Sequence, residues 1–138
     1  MSTIPQSVLE SGLDFDWDEQ DVWQLDYPTQ EIDIQQLAWH FEIPFWDWDG
    51  QTYNLTPSQV LSHPELYQAQ YKRIMSADTR YPIDVMPNQV GQLVILDGLH
   101  RLVKHHLNGR THVPVRIIPR SEITHLSHSS KQNSASSR

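Results

Sequence analysis

The sequence predicts a small α/β domain in which a mixed sheet is flanked by helices. Three observations carry this. Residues 93–118, LVILDGLHRLVKHHLNGRTHVPVRII, read as a strand, a sharp turn, a helix and a second strand. Just before them, YPIDVM (81–86) alternates as a strand should. Pro87-Asn88-Gln89-Val90-Gly91 then supplies a turn into an antiparallel partner, QLVIL (92–96). Finally, 138 residues suffice for one domain with a core but leave no room for a second of ordinary size.

Taken in order, residues 1–12 read as a loose end. Residues 13–27, LDFDWDEQDVWQLDY, mix aromatics with acids and contain no base. Alternation of Leu13, Phe15 and Trp17 suits a short strand. The same residues equally suit an arm laid over the domain, with Trp17 and Trp23 as anchors. In residues 31–41, Ile34, Leu37 and Phe41 recur at helical spacing with Ala38 beside them, and Ile43-Pro44 ends that helix. Phe45 to Gly50 is an aromatic turn built on Asp49-Gly50. Thr56-Pro57 is a cap followed by a first-turn proline, predicting a helix over 57–62, and Ser62-His63-Pro64 starts a second over 64–76. The helix after the 92–96 strand spans 99–107, with Leu99, Leu102, Val103 and Leu107 toward the core, and Asn108-Gly109 ends it. The last strand is VPVRII (113–118), with Pro114 marking an edge or a strand start. The domain therefore spans 31–120, after an acidic aromatic extension (1–30) and before a Ser-rich tail (121–138) expected to be disordered.

Composition narrows the function. There is no cysteine, which excludes disulfides, thiolate metal sites and cysteine nucleophiles. Neither a secretory leader nor a membrane-length apolar run is present, so the expected location is the cytoplasm, away from membranes. The net charge is −7, but residues 1–71 hold 13 acids and no Lys or Arg, whereas residues 72–138 hold all 10 Lys and Arg against 4 acids. The halves are expected to pack together and neutralise one another, with an anion site in the basic half. A nucleic-acid binder is usually basic overall, and this chain is not.

The chemistry is concentrated at Asp97-Gly98-Leu99-His100-Arg101, where strand becomes helix. Unpaired amides and the positive end of the helix dipole make such a junction a natural seat for phosphate. Asp97 reads two ways: as a cap on the first turn, or as a magnesium ligand or general base beside phosphates. Gly98 permits close backbone approach. His100 and Arg101 are cations opposing the dipole, a mismatch that a bound anion would repair, and the forked guanidinium of Arg101 suits phosphate. His105 and His106 lack the i, i+4 spacing of a helical metal pair and read as solvent or edge-of-core residues. Trp39, Trp46 and Trp48 read as core or lid, less readily as a base-stacking platform.

The order helix, Tyr-Pro-Ile strand, hairpin, strand, Asp97-Gly98-x-His100-Arg101, helix, Gly109 and Val113-Pro114-Val115 strand resembles the ParB N-terminal and sulfiredoxin-like superfamily, most clearly over 73–118. The resemblance implies an α/β fold whose helix N-terminus holds a nucleotide phosphate, with Gly98, Leu99, His100, Arg101 and Arg73 as binding residues. Sulfiredoxins carry a cysteine where Leu99 stands, so that activity is excluded. ParB proteins carry Gly-Glu-Arg-Arg and a helix-turn-helix domain for which this chain has no room. The motif comes nearest to the free-serine kinases. The implied function is nucleotide binding, with ATP or another nucleotide and Mg as cofactors. It extends to phosphotransfer to a small-molecule acceptor or nucleotide hydrolysis, with Asp97 and His100 catalytic and Asp97 on the metal. The rival is a non-catalytic module that docks a protein or nucleic-acid-associated partner through the arm at residues 13–27.

Overall fold

In the computed structural model, which describes residue 13 and residues 15–126, four strands form a mixed sheet in the order β1-β6-β4-β5. They are β1 (Thr29–Asp33), β4 (Ile83–Pro87), β5 (Leu93–Asp97) and β6 (His112–Ile117). β6 lies parallel to β4, and the other two pairings are antiparallel. A separate hairpin joins β2 (Trp46–Trp48) to β3 (Gln51–Leu55). The helices are α1 (Glu19–Trp23), α2 (Pro57–Ser62), α3 (Gln68–Ser76), α4 (Leu99–Leu107) and α5 (Ile123–Leu126). The expected α/β class, with a mixed sheet and flanking helices, is the observed one.

The period of two along the strands divides the core between the sheet's two faces. Ile83, Val85, Val113 and Val115 join Leu102 and Val103 of α4 and Ile74 of α3 on one face. Met86, Leu96 and Ile118 join Val22 of α1 and Leu126 of α5 on the other. β4 is covered on both sides, which is why Ile83 through Met86 are all buried.

Where local chemistry decides, expected and observed elements coincide. The helix over 57–62 is α2. Thr56 Oγ1 accepts the Gln59 amide at 3.0 Å, and the Thr56 amide donates to Gln59 Oε1 at 2.8 Å, a reciprocal cap with Pro57 behind it. The helix over 99–107 is α4, ended by Gly109 at φ +76°. Its Leu102 and Val103 are buried as expected, but Leu107 is exposed and Leu99 only half-buried.

The helix expected over 31–41 is instead β1 followed by two 3-10 turns, Ile34–Gln36 and Ala38–Glu42. Ile32 is drawn out opposite Val113 of β6. Asp33 then caps the first turn by accepting the Gln35 amide at 2.8 Å. Ile34, Leu37 and His40 are all buried, a spacing of three that matches the 3-10 period better than the α-helical one. The helix expected over 64–76 starts only at Gln68, after a turn at His63–Tyr67. The aromatic turn at 45–50 is the β2–β3 hairpin, with Asp49 (φ +56°) and Gly50 (φ +77°) at its apex.

Leu13, Phe15 and Trp17 form no strand. Together with α1 they pack as an arm over the second face. The domain also runs past residue 120: the turn Arg120–Glu122 and α5 bring Leu126 into the core, because Ile118, Ile123 and Leu126 together make an apolar stripe that the sheet can cover. The remaining tail, from 127, and residues 1–12 lie outside the described residues.

Neutralisation between the acidic and basic halves takes another form than expected. The two best-buried ion pairs, Asp84–Arg116 (2.7 Å) and Asp97–Arg101 (2.8 Å), each join two residues of the basic half. Arg116 instead ties down the arm through backbone, donating to the carbonyls of Leu25 at 2.5 Å and Val22 at 3.0 Å. Tyr27 hydroxyl adds a bond to the Glu122 carboxylate.

The free side of β5 is closed by side chains. Trp39 Nε1 donates to the Leu93 carbonyl at 3.2 Å, and the Ile95 amide donates to His40 Nε2 at 3.1 Å. Because the other nitrogen of His40 donates to the Leu37 carbonyl at 2.8 Å, the ring is held as the Nδ1–H tautomer.

Candidate nucleotide site

The β5–α4 junction opens into a cavity of about 820 Å³. Gly98 makes the junction: it sits at φ +119°, where a Cβ would come 3.1 Å from the Arg101 guanidinium and 3.2 Å from Ile83. It is also the N-cap of α4, so no side chain covers the amides of Leu99, His100 and Arg101. Those amides carry the positive end of the helix dipole at the cavity wall.

The five residues of the motif and Arg73 all line this cavity. Their roles differ from expectation in two cases. Arg101 is buried, pairs with Asp97 Oδ2 at 2.8 Å and donates to the Pro82 carbonyl at 3.1 Å. It therefore braces the junction rather than reaching outward. The spacing was the available signal: Asp97 and Arg101 stand four apart across the glycine. His100 is pushed down to about 4, chiefly by burial and then by the charges of Arg73 and Arg101. At neutral pH it is an uncharged ring, so the cation expected there is absent. Arg73, exposed on α3, remains to meet an anion.

Asp97 does not act as the cap. Its Oδ2 accepts from both Arg101 and Trp23 Nε1 (2.7 Å), and Oδ1 has no partner among the described residues. One free carboxylate oxygen is what magnesium needs when phosphates and water supply its other ligands. Among the described residues no three His, Asp or Glu are gathered as a self-sufficient metal cage.

The arm forms the outer wall. Trp17 Nε1 donates to the Leu96 carbonyl at 3.0 Å, next to the Trp23–Asp97 bond. Glu19 of α1 lines the cavity, and burial, followed by the charges of Asp97 and Asp18, raises its carboxyl above the ordinary range. Phe45, Trp46 and Tyr53 also line the cavity. Trp46 stacks on His100, with ring centres 4.5 Å apart and planes 13° apart, and His100 Nε2 lies 2.7 Å from Gln70 Oε1. Tyr53 holds the left-handed φ of +52°, a strained setting for a residue with a side chain.

Sequence reasoning missed Tyr53, Gln70 and Glu19. A backbone angle leaves no mark in residue order, and Gln70 meets His100 across 30 positions. His105 departs from expectation in the other direction, being buried in α4 rather than at an edge. His106 packs on Phe41, with ring centres 5.0 Å apart. No helix among the described residues is long and apolar enough to cross a membrane. No protein-family model matches the chain, and no curated protein or solved structure matches it.

Proposed function

We propose that this chain is a nucleotide-binding domain of the ParB/sulfiredoxin-like kind, which seats a magnesium nucleotide such as ATP at the β5–α4 junction. The observation that supports it most is that α4 begins, without a side-chain cap, in a cavity also lined by the aromatic side chains of Phe45, Trp46 and Tyr53. Phosphate oxygens accept from the amides of Leu99, His100 and Arg101 and meet the charge of Arg73. Gly98 gives them room.

The carboxylates of Asp97 and Glu19 at the same mouth favour a phosphate that arrives with its cation over a bare one. Asp97 Oδ1 would hold the metal, which supplies charge neutralisation for the phosphates. Transfer to a small-molecule acceptor or to water is the chemistry consistent with this seat. His100 is too weakly basic to take the proton. The rival reading, a docking arm at residues 13–27, finds its anchors already in use: Val22 is buried, and Trp17 and Trp23 are bonded to β5.

Calorimetric titration with ATP, ADP and CTP, each with and without magnesium, tests the reading. Binding is expected for at least one of them, stronger with magnesium. Arg73→Ala should weaken it roughly 10-fold, the value of one charge-assisted hydrogen bond. Absence of binding by all three, or indifference to Arg73→Ala, would overturn the proposal.

A further inference from the structure

The cavity is lined both by the bare start of α4 with Arg73 and by the aromatic side chains of Phe45, Trp46 and Tyr53. His100 belongs to the first turn of α4 and stacks on Trp46. A ligand with phosphate at one end and a flat ring at the other carries its sugar between them.

The hydrogen bonding of His100 fixes what it can offer there. Gln70 Oε1 is an acceptor, so the Nε2 facing it at 2.7 Å carries the proton. A neutral ring with its proton on Nε2 has a lone pair on Nδ1. That atom has no partner among the described residues and is not sealed from solvent, and the residue lines the cavity. Nδ1 is thus an open acceptor, held in orientation by the Trp46 stack and the Gln70 bond.

We infer that His100 Nδ1 accepts a hydrogen bond from a ribose hydroxyl of the bound nucleotide, so that the site favours nucleotides that carry sugar hydroxyls over their 2′,3′-dideoxy analogues. This rests on the nucleotide reading above. It gives His100 a part in specificity rather than in charge neutralisation or proton transfer. A hydroxyl donor satisfies the lone pair, whereas a deoxy sugar leaves it facing a C–H group after water has been displaced.

The test titrates the full chain with ATP, 2′,3′-dideoxy-ATP and inorganic tripolyphosphate, all with magnesium. ATP is expected to bind about 3- to 10-fold more tightly than the dideoxy analogue, the worth of one neutral hydrogen bond. In His100→Phe, which keeps a flat ring against Trp46, that ratio should fall to one. Arg73→Ala should weaken both nucleotides while preserving the ratio. Long-range proton–nitrogen NMR of the unaltered chain needs no variant. It should show His100 protonated on Nε2 alone, both free and saturated with ATP. Equal affinity for ATP and its dideoxy analogue, a ratio that survives His100→Phe, or an imidazolium formed on binding would each overturn the inference while leaving nucleotide binding intact. No binding by any of the three probes would overturn the nucleotide reading, and this inference with it.

Discussion

At the scale of single residues, the junction depends on Gly98 more than on any charged neighbour. Its φ of +119° lies where L side chains are strained, and an added Cβ would press on the guanidinium that Asp97 and the Pro82 carbonyl hold in place. Gly98→Ala should therefore cost about 2 kcal/mol of stability in urea unfolding. It should also weaken nucleotide binding by crowding the α4 amides. Stability unchanged to within ~0.5 kcal/mol would show that the backbone relaxes out of this conformation. Arg101 is a poor probe of the ligand for the same reason. Removing it leaves the Asp97 carboxylate without its cation, so lost binding would report a collapsed junction. Arg73, exposed and outside that brace, separates the two effects.

Between elements, the decisive contact is the arm against the end of β5. Trp23→Phe keeps the ring but removes the donor to Asp97 Oδ2. It should cost about 1 kcal/mol, seen as faster amide hydrogen exchange confined to residues 15–27. Protection there equal to that of the parent would mean that the remaining contacts, the buried Val22 and the bonds of Trp17, Arg116 and Tyr27, hold the arm without that donor. The same scale explains what the sequence disclosed. α2 and α4 were legible because their caps and glycines lie within four residues of the helix. The β4–β5 hairpin was legible because Asn88 organises its own turn, accepting the amides of Val90 and Gln92. β1 was not, because the partner that extends it, Val113, lies about 80 residues away. The site divides likewise: the motif at 97–101 announced itself, whereas Gln70, Tyr53 and Trp23 reach it only through tertiary packing.

For the molecule as a whole, acid weakens the fold through its buried histidines. Burial pushes His40 down to about 4, and burial with the nearby arginines does the same to His100, from 6.5 in each case. Between those values the unfolded chain takes up protons that the folded chain refuses, so stability falls as pH drops from 6.5 to 4 and is flat with respect to these groups above 7. Each histidine contributes on the order of 3 kcal/mol at the full extent. His105 is shifted in the same direction, chiefly by burial. Urea unfolding across pH 4 to 8 should show this slope, and His40→Leu should reduce it by about half, leaving the share of His100. A pH-independent midpoint over that range would contradict it. His40 also has a consequence beyond acid. With Trp39 it occupies backbone groups of β5 that another strand would otherwise claim, while the opposite border of the sheet, β1, presents the exposed acids Glu31 and Asp33. One margin is stoppered and the other is electrically repellent to its own kind, so at neutral pH neither edge of the four-stranded sheet is a ready template from which to spin fibrils.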